Sequence, residues 1–281
     1  MGLYLCLAFA WSWGLVALAF GLNWISFPLN EKDPSTIAVL VAFMCGPMVG
    51  GVVAAIRDGA FRERLRLSFR PNIWWLRAWA FPVAFSLLAI TITLVVPGAI
   101  LGRPADLVGA LPEAQRQLLP SGLTLDALIL FQALVVGAAV NSIILLSEEL
   151  GWRGYMLSRL SHLSFWRRHL TIGFVWGVWH APVIAAGYNY PGEPFKGPLV
   201  FILFCVLLSP VIGHFSERGK SVFAASIFHG TFNAVAPMAV LLVTGVSTFE
   251  RAVLGWPGLL LLFASCLWLI SRPRDDEAPA Q

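Results

Sequence analysis

Two carboxylates and a guanidinium stand within about a turn and a half of helix in Ser147-Glu148-Glu149-Leu150-Gly151-Trp152-Arg153. On a helix Glu149 and Arg153 are i and i+4 neighbours in the favourable order, acid before base. Arg153 therefore neutralises Glu149, while Glu148 projects about 100° away and is left available. An apolar setting suits such a carboxylate to general-base work near neutral pH. Farther along, His180 lies about ten residues inside an apolar stretch, roughly 15 Å deep at 1.5 Å per residue. His229 and Asn233 are an i, i+4 pair on one face of a later stretch and can aim at one point. Taken alone, Glu-Glu-x-x-x-Arg is most simply a helix-end salt bridge, and a lone intramembrane histidine an interhelical hydrogen bonder. Together, on three apolar segments, they point to a shared site, because a charge at the centre of a membrane helix costs at least about 2.5–3.5 kcal/mol.

The elements that must carry these residues are membrane helices. Of 281 residues, 58% are hydrophobic and only 12% charged, about half the charged share of roughly 25% in soluble proteins. That excludes an ordinary soluble enzyme, and with it disorder and a disulfide scaffold. A bilayer core takes roughly 20 apolar residues as a helix. Eight such stretches are predicted, near 3–27, 36–56, 73–96, 124–150, 170–187, 199–215, 221–244 and 254–271. The fold class is thus all-α, a polytopic transmembrane bundle forming a single integral membrane domain over 1–281. Met1 is followed at once by apolar residues without a basic leader, so the first stretch is expected to stay as an anchor.

Cytoplasmic loops are enriched in Lys and Arg. With the N-terminus inside, fourteen basic residues fall on the cytoplasmic side: Arg57, Arg62, Arg64, Arg66, Arg70, Arg77, Arg153, Arg159, Arg167, Arg168, Arg218, Lys220, Arg272 and Arg274. Only Lys32, Arg103, Arg116, Lys196 and Arg251 fall on the other. Both termini are accordingly expected in the cytoplasm, and the net charge of +4 follows from this bias rather than from a nucleic-acid footprint. The longest loop, about 97–123 with Pro97, Pro104, Pro112 and Pro120, reads as an external connection, and the polar tail from Arg272 to Gln281 as disordered. Arg outnumbers Lys 16 to 3, which hints at a prokaryotic host and its plasma membrane.

Packing signals support convergence. Gly173, Gly177, Ala181 and Ala185 make a small-residue stripe at i+4 spacing that lets another helix approach, and His180 borders it. Gly46 and Gly50 beside Pro47 read as packing in the second stretch, and Asn141 and Gln132 as interhelical glue. His162 and His169 are assigned to an Arg-rich loop and His214 to a helix end, all as interfacial residues. Cys6, Cys45, Cys205 and Cys266 are far apart and read as small hydrophobes. No His-Glu-x-x-His, Gly-x-Ser-x-Gly or phosphate-cradling loop occurs.

The ordered set Glu148, Glu149 and Arg153, then Trp176 and His180, then His229 and Asn233, resembles the CPBP intramembrane proteases. That family unites type II CAAX prenyl endopeptidases with bacteriocin-processing and immunity proteases. Its pattern is Glu-Glu-x-x-x-Arg, aromatic-x-x-x-His and His-x-x-x-Asn or Asp, and the likeness covers about 127–240. It implies peptide-bond hydrolysis near the cytoplasmic face, with Glu148 and His180 activating a water while His229 and Asn233 stabilise the oxyanion. A metallo-type reaction stays open, since two histidines and a glutamate are able to hold one zinc ion with a free position. The implied partners are a peptide or membrane-protein substrate and the lipid bilayer, with no nucleic acid. Alternatives are a non-proteolytic regulator or scaffold of the same family, or a transporter, although no half-to-half symmetry is apparent.

Overall fold

The protein, described by a computed structural model over residues 1–272, is an all-α bundle. Its main helices are α1 Gly2–Gly21, α2 Pro34–Arg57, α3 Ile73–Thr93, α4 Leu123–Arg159, α5 Phe165–Ala185, α6 Lys196–Arg218, α7 Val222–Leu242 and α8 Trp256–Ile270. Among the described residues, six are long and apolar enough to cross a membrane: α1, α2, α3, α4, α6 and α7. The others fall short for visible reasons. Helix α5 opens on Phe-Trp-Arg-Arg-His, and α8 has 15 residues. The expected tail beyond Arg272 lies outside the described residues.

Local chemistry sets the helix starts and breaks. Asp33, Asn72 and Ser221 cap α2, α3 and α7 by accepting from the backbone N–H groups of Thr36, Trp74 and Phe223, which satisfies donors that a helix start leaves open. Helix α2 is interrupted at Cys45, between Met44 and Gly46, because Pro47 lacks an N–H and its ring crowds the carbonyl four residues back. Two carbonyls at that break turn to α1: Ser12 Oγ donates to Phe43 O at 2.7 Å and Trp11 Nε1 to Ala42 O at 2.9 Å.

Small residues then bring the backbones together. A Cβ at Gly50 would sit 2.6 Å from Tyr4 O on α1, and one at Gly151 would sit 2.5 Å from Pro47 O and Cβ, where α4 crosses α2. On α5, a Cβ at Gly173 would meet Cys205 O at 2.6 Å and one at Gly177 would meet Ile202 Cα at 2.7 Å, so the glycines of the stripe seat α6. Gly151→Ala is expected to destabilise the protein by about 1–3 kcal/mol through overpacking, lowering its thermal midpoint in detergent. An unchanged midpoint would show that the α2–α4 crossing is not tight.

Two expectations change. The 97–123 connection is partly structured: it holds the two-residue strand β1 Ile100–Leu101, a 3-10 turn Pro104–Ala110 and a short helix Glu113–Arg116. Strand β1 pairs antiparallel with β2 Val243–Thr244, with Ile100 opposite Thr244. His169 is not interfacial, because α5 already begins at Phe165 and buries it completely. Its Nε2 lies 3.0 Å from Glu217 Oε1, while Arg168 clasps the same carboxylate at 2.9 and 3.0 Å. Gly213 leaves the room on α6, since a Cβ there would overlap the imidazole. His162 is exposed in the loop between α4 and α5.

Candidate active site

Glu148 and Glu149 occupy the last turn of regular α-helix in α4, directly before a π-helical stretch, Leu150–Met156. Such stretches are uncommon and frequent at functional sites. Both carboxylates are buried, at 2% and 0% exposure, as is Arg153 at 0%. Ion pairing across the i, i+4 step is as read from the sequence: Arg153 Nη1 donates to Glu149 Oε1 at 2.9 Å. Glu149 does more than that. The same Oε1 lies 2.9 Å from His229 Nδ1 on α7, so one carboxylate oxygen holds both a guanidinium and an imidazole.

Glu148 has a partner the sequence reading missed. Trp176 Nε1, on α5, donates to Glu148 Oε2 at 2.9 Å. The same indole takes the Arg153 guanidinium over its face at 4.6 Å, a favourable cation–π placement. It also packs edge-on against both imidazoles, 5.7 Å from His180 and 5.2 Å from His229 between ring centroids. The two rings therefore lie within about 11 Å of each other. In the sequence motif Trp176 counts only as an aromatic residue. Its N–H, which phenylalanine lacks, is what reaches Glu148.

His180 is held by its own helix. Its Nδ1 lies 3.0 Å from Trp176 O, one turn back. A carbonyl only accepts, so Nδ1 carries the proton there, and in the neutral ring Nε2 keeps its lone pair. Trp179, Phe201 and Phe43 enclose the ring, with centroids 4.6, 4.9 and 6.3 Å away. His180 sits five residues before the Ala185 end of α5, nearer that end than the sequence boundary at 170 suggested.

Glu148, Trp176, His180, His229 and Asn233 line one cavity of about 440 Å³. Its remaining wall is mainly apolar, from Phe43 on α2, Phe201 and Leu208 on α6, and Phe232 and Val240 on α7. Glu149 and Arg153 lie behind it and do not line it; neither do Asn141 and Gln132. Tyr188 joins the lining from the loop after α5, and burial beside Glu31 pushes its phenol up to about 12. It is a neutral hydrogen-bond donor at any ordinary pH.

Among the described residues, no three His, Cys, Asp or Glu side chains converge on a possible metal position. The arrangement offers a carboxylate, two imidazoles and an amide lining one cavity.

Residues 126–235 match the family model described as type II CAAX prenyl endopeptidase Rce1-like. A curated relative, CAAX prenyl protease 2 of Methanococcus maripaludis, is 34% identical over 92 residues, which make up 31% of this chain and 34% of that protein. The chain thus matches about a third of that relative's length. Both similarities support the CPBP resemblance, and the family-model match spans Glu148, His180 and His229.

Proposed function

We propose that this chain, with its Rce1-like segment 126–235 as the core, is an intramembrane endopeptidase of the CAAX-protease type. The observation that carries this reading is the convergence of Glu148, His180, His229 and Asn233 on one largely apolar cavity. A water in that cavity donates one hydrogen to Glu148 and the other to His180 Nε2, which leaves its lone pair directed at a substrate carbonyl. Glu148 takes the proton as the oxygen attacks. The carbonyl oxygen becomes an oxyanion, met by the Asn233 amide and by His229 Nε2–H, and fixed donors in a water-poor site are well suited to charge that develops only in the transition state. Collapse of the intermediate passes the proton from Glu148 to the leaving nitrogen.

His229 is able to donate from Nε2 only when both of its nitrogens carry protons, because Nδ1 already faces Glu149. That makes it a cation, and Glu149 is the counter-charge such a cation needs at this depth. The relative's name, CAAX prenyl protease 2, makes a prenylated peptide ending in a CAAX box the first substrate to try.

Trp176→Phe tests the arrangement. Phenylalanine keeps an aromatic side chain beside Arg153 and the imidazoles but loses the N–H to Glu148 and part of the indole's volume. A hydrogen bond to a charged group is worth about 1.5–3 kcal/mol, so cleavage of a farnesylated CAAX peptide by the purified variant is expected to slow about 10–100-fold, with a lower thermal midpoint because a buried indole gives way to a smaller ring. Wild-type rates in Trp176→Phe would show that Glu148 does not depend on the indole, and no cleavage by wild type of that peptide or of any membrane protein would remove the protease reading itself.

A further inference from the structure

Away from the cavity, three helix ends meet around a row of rings. Trp74 lies in the first turn of α3, His214 one turn before the end of α6, and Trp268 in the last turn of α8. The His214 imidazole stands edge-on to both indoles, 5.2 Å from Trp74 and 6.0 Å from Trp268 between ring centroids. Backbone contacts fix the arrangement: Asn72 Nδ2 donates to Gly219 O at 3.2 Å and Trp75 Nε1 to the same carbonyl at 3.4 Å, which ties the start of α3 to the end of α6.

Three guanidinium groups lie over this row. Arg77 and Arg218 stand 4.6 and 5.8 Å from the Trp74 centroid, which puts them within about 10.4 Å of each other. Arg272 stands 4.9 Å from the centroid of Trp268. All three are exposed. The acids at this end are engaged by other cations: Asp58 pairs with Arg64 and Arg159, and Glu217, next to Arg218 in the chain, with Arg168. Stacking on a ring orients a guanidinium without using its N–H groups, so the donors of Arg77 and Arg218 are left for an anion.

We propose that this row binds an anionic phospholipid, with Arg77 and Arg218 holding the headgroup phosphate and Arg272 flanking it. Helices α3 and α6 are long and apolar enough to cross a membrane, so their ends lie at headgroup level, where tryptophan is enriched. Guanidinium forks match phosphate oxygens in pairs. Three cations without a paired acid favour a headgroup of net negative charge over one whose phosphate is balanced by a quaternary ammonium. The acyl chains have apolar surface beside the site, since Trp268 is 47% and Ile270 61% exposed. Headgroups cover both faces of a bilayer, so the site stands whichever way the chain is inserted and whatever it cleaves.

Lipid binding by the full-length chain tests it. The protein in a neutral detergent is titrated with phosphatidylglycerol or phosphatidylcholine, with and without inorganic phosphate, and bound lipid is counted by native mass spectrometry. Wild type is expected to prefer phosphatidylglycerol, and Arg77→Gln and Arg218→Gln each to bind it about fivefold more weakly, the usual contribution of one basic residue near an anionic lipid surface. Arg77→Lys keeps the charge but not the fork and is expected to fall between Arg77→Gln and wild type. Arg62→Gln combined with Arg167→Gln removes two exposed cations that stack on no ring among the described residues, and is expected to bind as wild type does. Circular dichroism confirms that each variant is folded; if a glutamine variant is not, Arg77→Lys and the Arg62 and Arg167 pair carry the comparison. Equal affinity for the two lipids, or equal weakening by the Arg62 and Arg167 changes, would overturn the site. Displacement of phosphatidylglycerol by millimolar inorganic phosphate would overturn the lipid as its ligand.

Discussion

Glu148→Gln is expected to slow peptide cleavage by roughly 10²–10⁴-fold, the usual contribution of a positioned general base, with no loss of folded protein. Glutamine keeps the shape of the side chain, and its amide oxygen still accepts from Trp176 Nε1, now 2.9 Å from Glu148 Oε2. Only the ability to take a proton is lost. A neutral amide is also cheaper to bury than a carboxylate at 2% exposure, so the thermal midpoint should hold or rise. A rate matched to wild type would mean that another group deprotonates the water.

Glu149→Gln is expected to fail differently. Arg153 is 0% exposed and its only ion-pair partner among the described residues is Glu149. Removing one member of a buried pair typically costs about 3–5 kcal/mol, so the variant should unfold at a clearly lower temperature as well as lose activity. A second change separates the two effects. Glu149→Gln combined with Arg153→Met removes both charges, and replacing a buried pair by apolar groups is often neutral or better. Stability should return while cleavage stays slow, because His229 still lacks its counter-charge at Nδ1. Recovery of both would reduce Glu149 to a structural partner of Arg153, the role its i, i+4 spacing alone suggested.

That difference marks how far the sequence could be read. Helical spans were legible because hydropathy and length are local properties, and so was the Glu149–Arg153 pair, which lies within one turn of a single helix. The helix start at Phe165 was not, since the basic run Arg167-Arg168-His169 looks like loop; only Glu217 on α6, 3.0 Å from His169, explains how it is buried. The link from Glu149 to His229 crosses from α4 to α7, and that from Trp176 to Glu148 crosses from α5 to α4. Neither has a spacing to announce it. Trp176 carried a partial signal, an indole N–H in a largely apolar helix, where such a donor usually finds a partner when buried. His180 lies farther from the start of α5 than the sequence suggested, for the same reason that this start was missed.

Water activation by Glu148 is tested most directly by cleavage in liposomes holding only the purified chain and a fluorogenic farnesylated CAAX peptide, or a membrane protein whose new N-terminus can be sequenced. Wild type and Glu148→Gln are compared at matched thermal midpoints, each with and without a strong zinc chelator. Cleavage by wild type that survives the chelator and disappears in Glu148→Gln is the predicted result. Equal cleavage by the two proteins, or wild-type cleavage abolished by the chelator and restored by zinc, would contradict it.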